Sequence, residues 1–150
     1  MSQPHVIRLC GPWDLQPLEC FGAPAELPKP ARVQAPCDWA ELLGHDFLGR
    51  VRYTRKFNRP TNLDPHERVW LTFDGVDHRA SVTLNGTRLG QLAGCARSAR
   101  FDVTDLLELH NTLVVDVTLD RDTFHDQSLR GARAGKAGGL VGEVRLEIES

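Results

Sequence analysis

Side chains that could carry out chemistry are concentrated in residues 36–49, which hold Cys37, Asp38, Trp39, His45 and Asp46. A cysteine near a histidine is the residue pair of a thiol nucleophile and its general base. A separation of eight positions does not establish that Cys37 and His45 meet in space, so ordinary loop residues are the favoured interpretation. Asp38 is expected instead to cap a short helical turn at Trp39, because its carboxylate accepts hydrogen bonds from free backbone N–H groups.

A second polar stretch runs from Asp120 to Gly139 and holds His125, Asp126, Arg130 and Arg133. It is too long for a hairpin between the two strands predicted on either side. Long loops on a rigid scaffold are often functional, although mobility or docking against a neighbouring domain explains them equally well. Several glycines and alanines in this loop indicate mobility.

A carbohydrate site needs an exposed aromatic ring for stacking and polar groups that fix the hydroxyls. For each of the three tryptophans, packing in the core or between the sheets is favoured, and Trp39 is the best placed of them for binding. Trp70 alternates with the apolar residues of its strand and points away from their face. The candidate ligand-binding residues are therefore Asp38, Trp39, His45, Asp46, His125, Asp126, Arg130 and Arg133.

Composition narrows the class of protein. The chain has 150 residues, of which 41% are apolar and 25% charged, with a formal net charge of −2, as expected of a soluble globular domain. The charges form no basic block, which argues against nucleic acid and favours a neutral partner such as a carbohydrate. The apolar runs are too short for a membrane span, and the first ten residues do not resemble a signal peptide, so a cytoplasmic location is expected.

The four cysteines, Cys10, Cys20, Cys37 and Cys95, lack the spacing of a zinc site, and reduced, mostly buried thiols are expected. No cofactor and no metal are predicted. No carboxylate-rich loop has the ligand spacing of a calcium site, so structural calcium stays unproven.

The elements that must position these loops are predominantly strands. Apolar residues alternate with polar ones around Val51–Phe57, Val69–Phe73, Leu113–Leu119 and Val144–Ile148. Asn85-Gly86 predicts a type I′ hairpin turn, which also explains the sequon Asn85-Gly86-Thr87 without glycosylation. Helix is limited to single turns near Trp39–Leu43 and Asp102–Leu107. The pattern predicts an all-β protein, an antiparallel β-sandwich of jelly-roll type.

The first 32 residues are rich in proline and are interpreted as an irregular arm packed on the sandwich. The chain shows no sharp change in composition and no internal repeat. A single domain over residues 1–150 is predicted.

An ordered series of motifs resembles the N-terminal, sugar-binding-like domain of glycoside hydrolase family 2. The motifs are Ala35-Pro36-Cys37-Asp38-Trp39, Gly49 to Phe57, Arg68 to Asp77, Ala80 to Gly90, Phe101 to Leu107 with Asn111 to Val115, and Gly138 to Leu146. The resemblance implies a galactose-binding-domain-like jelly roll, and catalytic glutamates that belong to a separate barrel. It also implies that the loop from Asp120 to Gly139 lies towards the catalytic domain.

Three functions follow as hypotheses. The first is a non-catalytic carbohydrate-binding or accessory module whose partners are a neutral carbohydrate or a glycoside hydrolase catalytic domain. The alternative is a structural or protein-interaction β-sandwich that docks a catalytic partner and has lost sugar binding. The third, a small enzyme using His125, Asp126 and Cys37, ranks last because it requires these residues to converge.

Overall fold

The computed structural model describes residues 5–20, 29–33, 49–74, 79–93, 98–119 and 143–150. Within these ranges, ten strands and one short 3₁₀ turn follow in chain order: β1 His5–Arg8, β2 Trp13–Cys20, β3 Ala31–Val33, β4 Gly49–Asn58, β5 Arg68–Phe73, β6 Arg79–Leu84, β7 Thr87–Ala93, β8 Ala99–Asp102, the 3₁₀ turn Thr104–Leu106, β9 His110–Leu119 and β10 Val144–Glu149. All strand pairs are antiparallel. The predicted all-β class is confirmed.

The strands form two sheets. One has four strands in the order β1-β10-β5-β8, and the other has six in the order β3-β2-β4-β9-β6-β7. Several neighbours in these sheets are distant in sequence: β4 and β9 pair over their full length, from Gly49 opposite Leu119 to Asn58 opposite His110.

The core lies between the two sheets and follows the period of two that the sequence predicts. In β10, Val144, Leu146 and Ile148 are buried and the residues between them are half-buried. The six-stranded sheet contributes Trp13, Leu15, Val51, Tyr53, Val82, Leu84, Leu113, Val115 and Val117, and the four-stranded sheet contributes Val69, Leu71 and Phe73. Each strand therefore gives one apolar face to the same interior.

The hairpin predicted at Asn85-Gly86 joins β6 to β7. Asn85 has φ 51° and Gly86 has φ 84°, as a type I′ turn requires at both central residues. The single helical turn predicted near residues 102–107 is present as the 3₁₀ turn. The turn predicted at Trp39–Leu43 lies outside the described residues.

The proline-rich first third differs from the irregular arm expected there. β1 is the edge strand of the four-stranded sheet, and β2 lies inside the six-stranded sheet between β3 and β4. Pro17 lies next to a register shift between β2 and β4, and β3 pairs with β2 over Trp13–Leu15, so the strand is irregular where the proline stands, a setting in which proline is tolerated. The alternation of Trp13 and Leu15, both fully buried, is the sequence signal for β2.

Cys10 also differs from expectation, because its thiol is free and exposed instead of buried.

Candidate functional site

The eight residues predicted to bind ligand all fall in segments 34–48 and 120–142, outside the described residues. The points where these segments join the sheet are described. Segment 34–48 ends at Gly49 and segment 120–142 begins after Leu119, and these two residues are cross-strand partners in β4 and β9. The fold therefore brings the anchors of both candidate loops together.

Other connections meet at the same end of the sandwich. Cys20, the last residue of β2, lies opposite Gly49, and Arg79, the first residue of β6, lies opposite Thr118. We call this end of the six-stranded sheet, marked by Cys20, Gly49, Arg79 and Leu119, the loop end.

A shallow polar depression of about 260 Å³ lies on the outer face of the six-stranded sheet beside the loop end. It is lined by Arg50, Arg79, Ala80, Ser81, Gln91, Asp116 and Thr118. These residues come from the adjacent strands β4, β9, β6 and β7, and we call the depression the polar concavity. Its guanidinium and amide groups donate hydrogen bonds, its carboxylate accepts them, and its hydroxyls do both.

Asp116 is held in place by Arg52, its cross-strand partner. Arg52 Nε donates to Asp116 Oδ1 at 2.8 Å, and Nη2 donates to Oδ2 at 3.1 Å. This two-bond geometry raises the pKa of Arg52 above its ordinary value through the hydrogen bond and charge of Asp116, against a smaller opposing effect of burial. The carboxylate is thereby fixed in one orientation at the edge of the polar concavity.

Sequence reasoning did not single out the polar concavity. Its residues occupy polar positions in strands along which apolar and polar residues alternate. Such polar positions normally form the solvent-facing side of a sheet. Only the strand order places Arg50, Ser81, Gln91 and Asp116, from four different strands, on one patch.

Trp13 and Trp70 lie among the described residues, and they differ in burial. Trp13 is fully buried, and its indole Nε1 donates to the carbonyl oxygen of Leu9 at 2.7 Å. Trp70 points out of the four-stranded sheet and is half-buried, with the guanidinium carbon of Arg100 4.4 Å from its ring centroid. Trp70 is thus partly covered by a cation–π contact with a side chain of its own sheet. Trp39 lies outside the described residues.

A larger cleft of about 590 Å³ opens at the other end of β4 and β9, where they face β1. We call it the basic cleft, and it is lined by Ile7, Arg8, Leu9, Arg55, Lys56, Phe57, Asn58, His110, Asn111, Thr112 and Leu146. Along β4, Arg50 of the concavity and Arg55 of the cleft are five residues apart, roughly 17 Å, and lie on opposite faces of the strand. The basic cleft and the polar concavity are therefore separate surfaces.

Two asparagines fix the turn region next to the basic cleft. Asn111 is almost fully buried, and its Oδ1 accepts from Asn85 Nδ2 at 2.9 Å. Asn85 Nδ2 also donates to the Leu106 carbonyl oxygen, and Asn85 Oδ1 accepts from the Thr112 N–H. Asn85 is therefore engaged in the fold, which agrees with the interpretation of Asn85-Gly86-Thr87 as a turn.

Among the described residues, no group of three or more His, Cys, Asp or Glu side chains is arranged to hold a metal ion. Within the same part of the chain, no helix has the length and apolar character needed to cross a membrane.

Comparison with known proteins decides the family. Residues 47–137, more than half of the chain, match the family model described as glycosyl hydrolase 2 galactose-binding domain-like. The chain belongs to this family. The glycoside hydrolase family 2 resemblance that the motifs indicate is confirmed.

Relatives of this galactose-binding-like domain are parts of longer proteins. A beta-mannosidase from Mus musculus is 32% identical over 66 residues, which is 44% of this chain and 8% of the mannosidase. A beta-glucuronidase from Bifidobacterium dentium has a similar structure, with a TM-score of 0.73 and 25% identity over 99% of this chain and 30% of the enzyme. A family 2 beta-galacturonidase from Eisenbergiella tayi shares the fold, with a TM-score of 0.68 and 21% identity over 97% of this chain and 24% of that protein. The chain thus spans less than a third of each relative.

Proposed function

We propose that this galactose-binding-like domain is a non-catalytic accessory module that binds a neutral carbohydrate at the loop end. One observation carries the proposal: the anchors of the two candidate loops, Gly49 and Leu119, are opposite each other, and the polar concavity lies beside them. A carbohydrate held there would contact side chains from both loops and from the sheet.

The chemistry of the polar concavity suits hydroxyl groups. Gln91 and Ser81 supply a neutral amide and hydroxyl, and Asp116 supplies a carboxylate whose orientation Arg52 fixes. A carboxylate that is already oriented loses less conformational entropy on binding than a free side chain. These groups recognise a ligand by direction of hydrogen bonding, which fits a partner without net charge.

The concavity contains no aromatic residue among the described residues that line it. In the proposed site, the stacking ring is Trp39, with Asp38, His45 and Asp46 from the same segment and His125, Asp126, Arg130 and Arg133 from segment 120–142. The role of these eight residues stays a prediction.

We further propose that the domain acts beside a glycoside hydrolase catalytic domain and does not hydrolyse glycosides by itself. The support is the family match to the galactose-binding-like domain and the small share of each relative that the chain spans. In such an arrangement the module would position the carbohydrate or the catalytic partner, with chemistry left to that partner.

The test is a glycan-array screen followed by titration calorimetry with galactosides, glucuronides and mannosides. The variants Gln91→Ala and Trp39→Ala are each expected to weaken the binding of the selected sugar at least fivefold. Gln16→Ala is the matched control, because Gln16 is also exposed on the outer face of the six-stranded sheet but lies outside the polar concavity. It is expected to bind like the wild type.

Absence of binding to every sugar at millimolar concentration would contradict the proposal and favour the alternative, a β-sandwich that only docks a catalytic partner. Equal affinities of Gln91→Ala and Gln16→Ala for the selected sugar would show that the polar concavity is not part of the binding site. Hydrolysis of chromogenic glycosides by the isolated chain, abolished by His125→Ala or Asp126→Ala, would overturn the non-catalytic assignment.

A further inference from the structure

The basic cleft contains a charged residue where the strand pattern calls for an apolar one. Along β4, Val51 and Tyr53 are fully buried in the core, and Arg55 is the next residue in the same phase. Its cross-strand partner, Leu113, is fully buried. Arg55 therefore enters the space between the two sheets from an inward-facing position.

The guanidinium of Arg55 is only partly satisfied. Nη1 donates to the Lys56 carbonyl oxygen, whereas Nε is buried and has no hydrogen-bond partner among the described residues. A buried donor without a partner is costly, and the cost is larger for a charged group. If Arg55 served only to stabilise the fold, a carboxylate side chain next to it would be expected, because such a partner would lower the cost of burying the guanidinium.

The described residues that line the basic cleft supply positive charge and no carboxylate. Arg55 and Lys56 are joined there by Arg8 and by the imidazole of His110. Arg8 is partly neutralised by Glu143, which lies 3.1 Å from its Nε but does not line the cleft. The local electrostatic environment therefore favours an anion.

The free edge of Arg55 has the geometry of a carboxylate receptor. The same edge of Arg52, three residues earlier on the opposite face of β4, donates from Nε and Nη2 to both oxygens of Asp116. In Arg55, Nη1 is the nitrogen used by the backbone and Nε is buried without a partner among the described residues, so a carboxylate ligand reaches Nε only if the side chain shifts towards the cleft. A planar carboxylate can then accept from Nε and Nη2 at once.

Phe57 and Ile7 add an apolar wall beside this edge. Phe57 follows Arg55 in the inward-facing phase of β4, and Ile7 lies on β1 across the cleft. A cavity of about 590 Å³ is in the range of sites for small organic molecules. We propose that the basic cleft binds a small organic carboxylate, with the carboxylate on Arg55 and the apolar body against Phe57 and Ile7.

This site is independent of the carbohydrate proposal, since it lies at the other end of β4 and selects a charged ligand. The test uses the 150-residue chain, with benzoate as the probe and benzamide as its uncharged isostere. Binding is measured by calorimetry and by amide chemical shifts in ¹H–¹⁵N spectra. Benzoate is expected to bind at least tenfold more tightly than benzamide and to shift the amides of residues 55–58 and 110–112.

The variant Arg55→Met is expected to weaken benzoate binding at least tenfold. The matched control is Arg32→Met, because Arg32 is an exposed arginine on β3, outside the cleft, and is expected to leave binding unchanged. Lys56→Met, at an exposed position, is expected to weaken binding about threefold and provides a second variant if Arg55→Met does not fold.

A stability measurement separates a ligand role from a structural one. Because Arg55 has a buried donor without a partner, Arg55→Met is expected to raise the urea midpoint of the unliganded chain. Equal binding of benzoate and benzamide would overturn the proposal, as would unchanged binding in Lys56→Met or a lower urea midpoint in Arg55→Met. Displacement of benzoate by the sugar that binds at the loop end would also contradict it, because the two sites are separate.

Discussion

The buried amide of Asn111 offers the sharpest test of how the turn region is held together. Only 1% of this residue is exposed. Its Oδ1 accepts from Asn85 Nδ2 at 2.9 Å and from the Glu108 N–H at 2.8 Å. Its Nδ2 donates to the carbonyl oxygens of Glu108 at 2.9 Å and Phe57 at 3.3 Å. Asn111→Ala removes all four bonds.

A typical hydrogen bond contributes about 1 kcal/mol net, and four would give about 4 kcal/mol. Glu108 is exposed, so water can replace part of what its backbone groups lose. The expected loss is therefore about 2–3 kcal/mol in the free energy of unfolding. For a chain of 150 residues this corresponds to a Tm lowered by roughly 4–12 °C.

Urea unfolding followed by tryptophan fluorescence measures this loss, because Trp13 is fully buried in the folded state. Asn58→Ala is the control: Asn58 is exposed, and its side-chain oxygen lies 3.1 Å from Nδ1 of the exposed His110. It is expected to change the free energy of unfolding by less than about 0.5 kcal/mol. If Asn111→Ala loses no more than Asn58→Ala, the reasoning about the buried amide is refuted.

Asn111→Asp tests the hydrogen bonds that Asn111 donates separately from those that it accepts. The carboxylate keeps both acceptor roles but cannot donate to the carbonyl oxygens of Glu108 and Phe57, and its charge is unfavourable beside them. Its pKa in the folded state is therefore expected to be raised. The penalty relative to wild type is expected to be large at pH 7 and to shrink as the carboxyl group is protonated below about pH 5. A penalty that does not depend on pH would contradict this account.

Three further predictions use the same unfolding assay. Asn85→Ala is expected to lose about 1–2 kcal/mol, because it removes side-chain bonds and places alanine at a positive φ. Trp13→Ala is expected to lose about 3–5 kcal/mol as a large cavity forms, whereas Trp70→Ala, outside the core, is expected to lose less than about 1.5 kcal/mol. Burial acts to raise the pKa of Asp102, but hydrogen bonds from Thr104 and Arg68 hold it below its usual 3.8. Stability from Asp102 is therefore present above pH 3.8 and lost as pH falls through the lower folded value, so the difference between wild type and Asp102→Asn should narrow in acid.

Each of these predictions has a result that would contradict it. Asn85→Ala with wild-type stability would show that the turn does not depend on its side chain. Equal losses in Trp13→Ala and Trp70→Ala would contradict the division between core and outer face. A difference between wild type and Asp102→Asn that stays constant from pH 6 to pH 2 would exclude the carboxylate as its source.

The sequence predicts most strands because burial on one face imposes a period of two that is local to each strand. Val144, Leu146 and Ile148 are the clearest case, and the positive φ angles at Asn85 and Gly86 follow from residue type alone. β2 was missed as a sheet strand because proline is rare inside sheets, and Pro17 is tolerated where it lies next to a register shift.

The candidate loops were chosen from residue types, and the sequence could not show where they meet. The pairing of Gly49 with Leu119 joins positions 70 residues apart, and it depends on the order of strands in the sheet. The polar concavity and the basic cleft have the same origin, since each takes side chains from strands that are far apart in sequence.

By itself, the sequence determined the fold class, the hairpin and the resemblance to family 2, because these depend on local periodicity, turn residues and the order of motifs. The tertiary structure decided that the anchors of both candidate loops share one end. It also decided that Arg55 enters a cleft instead of facing solvent. Alternation assigns Arg55 to an inward position, but only the packing of β1 against the ends of β4 and β9 leaves space there for a ligand.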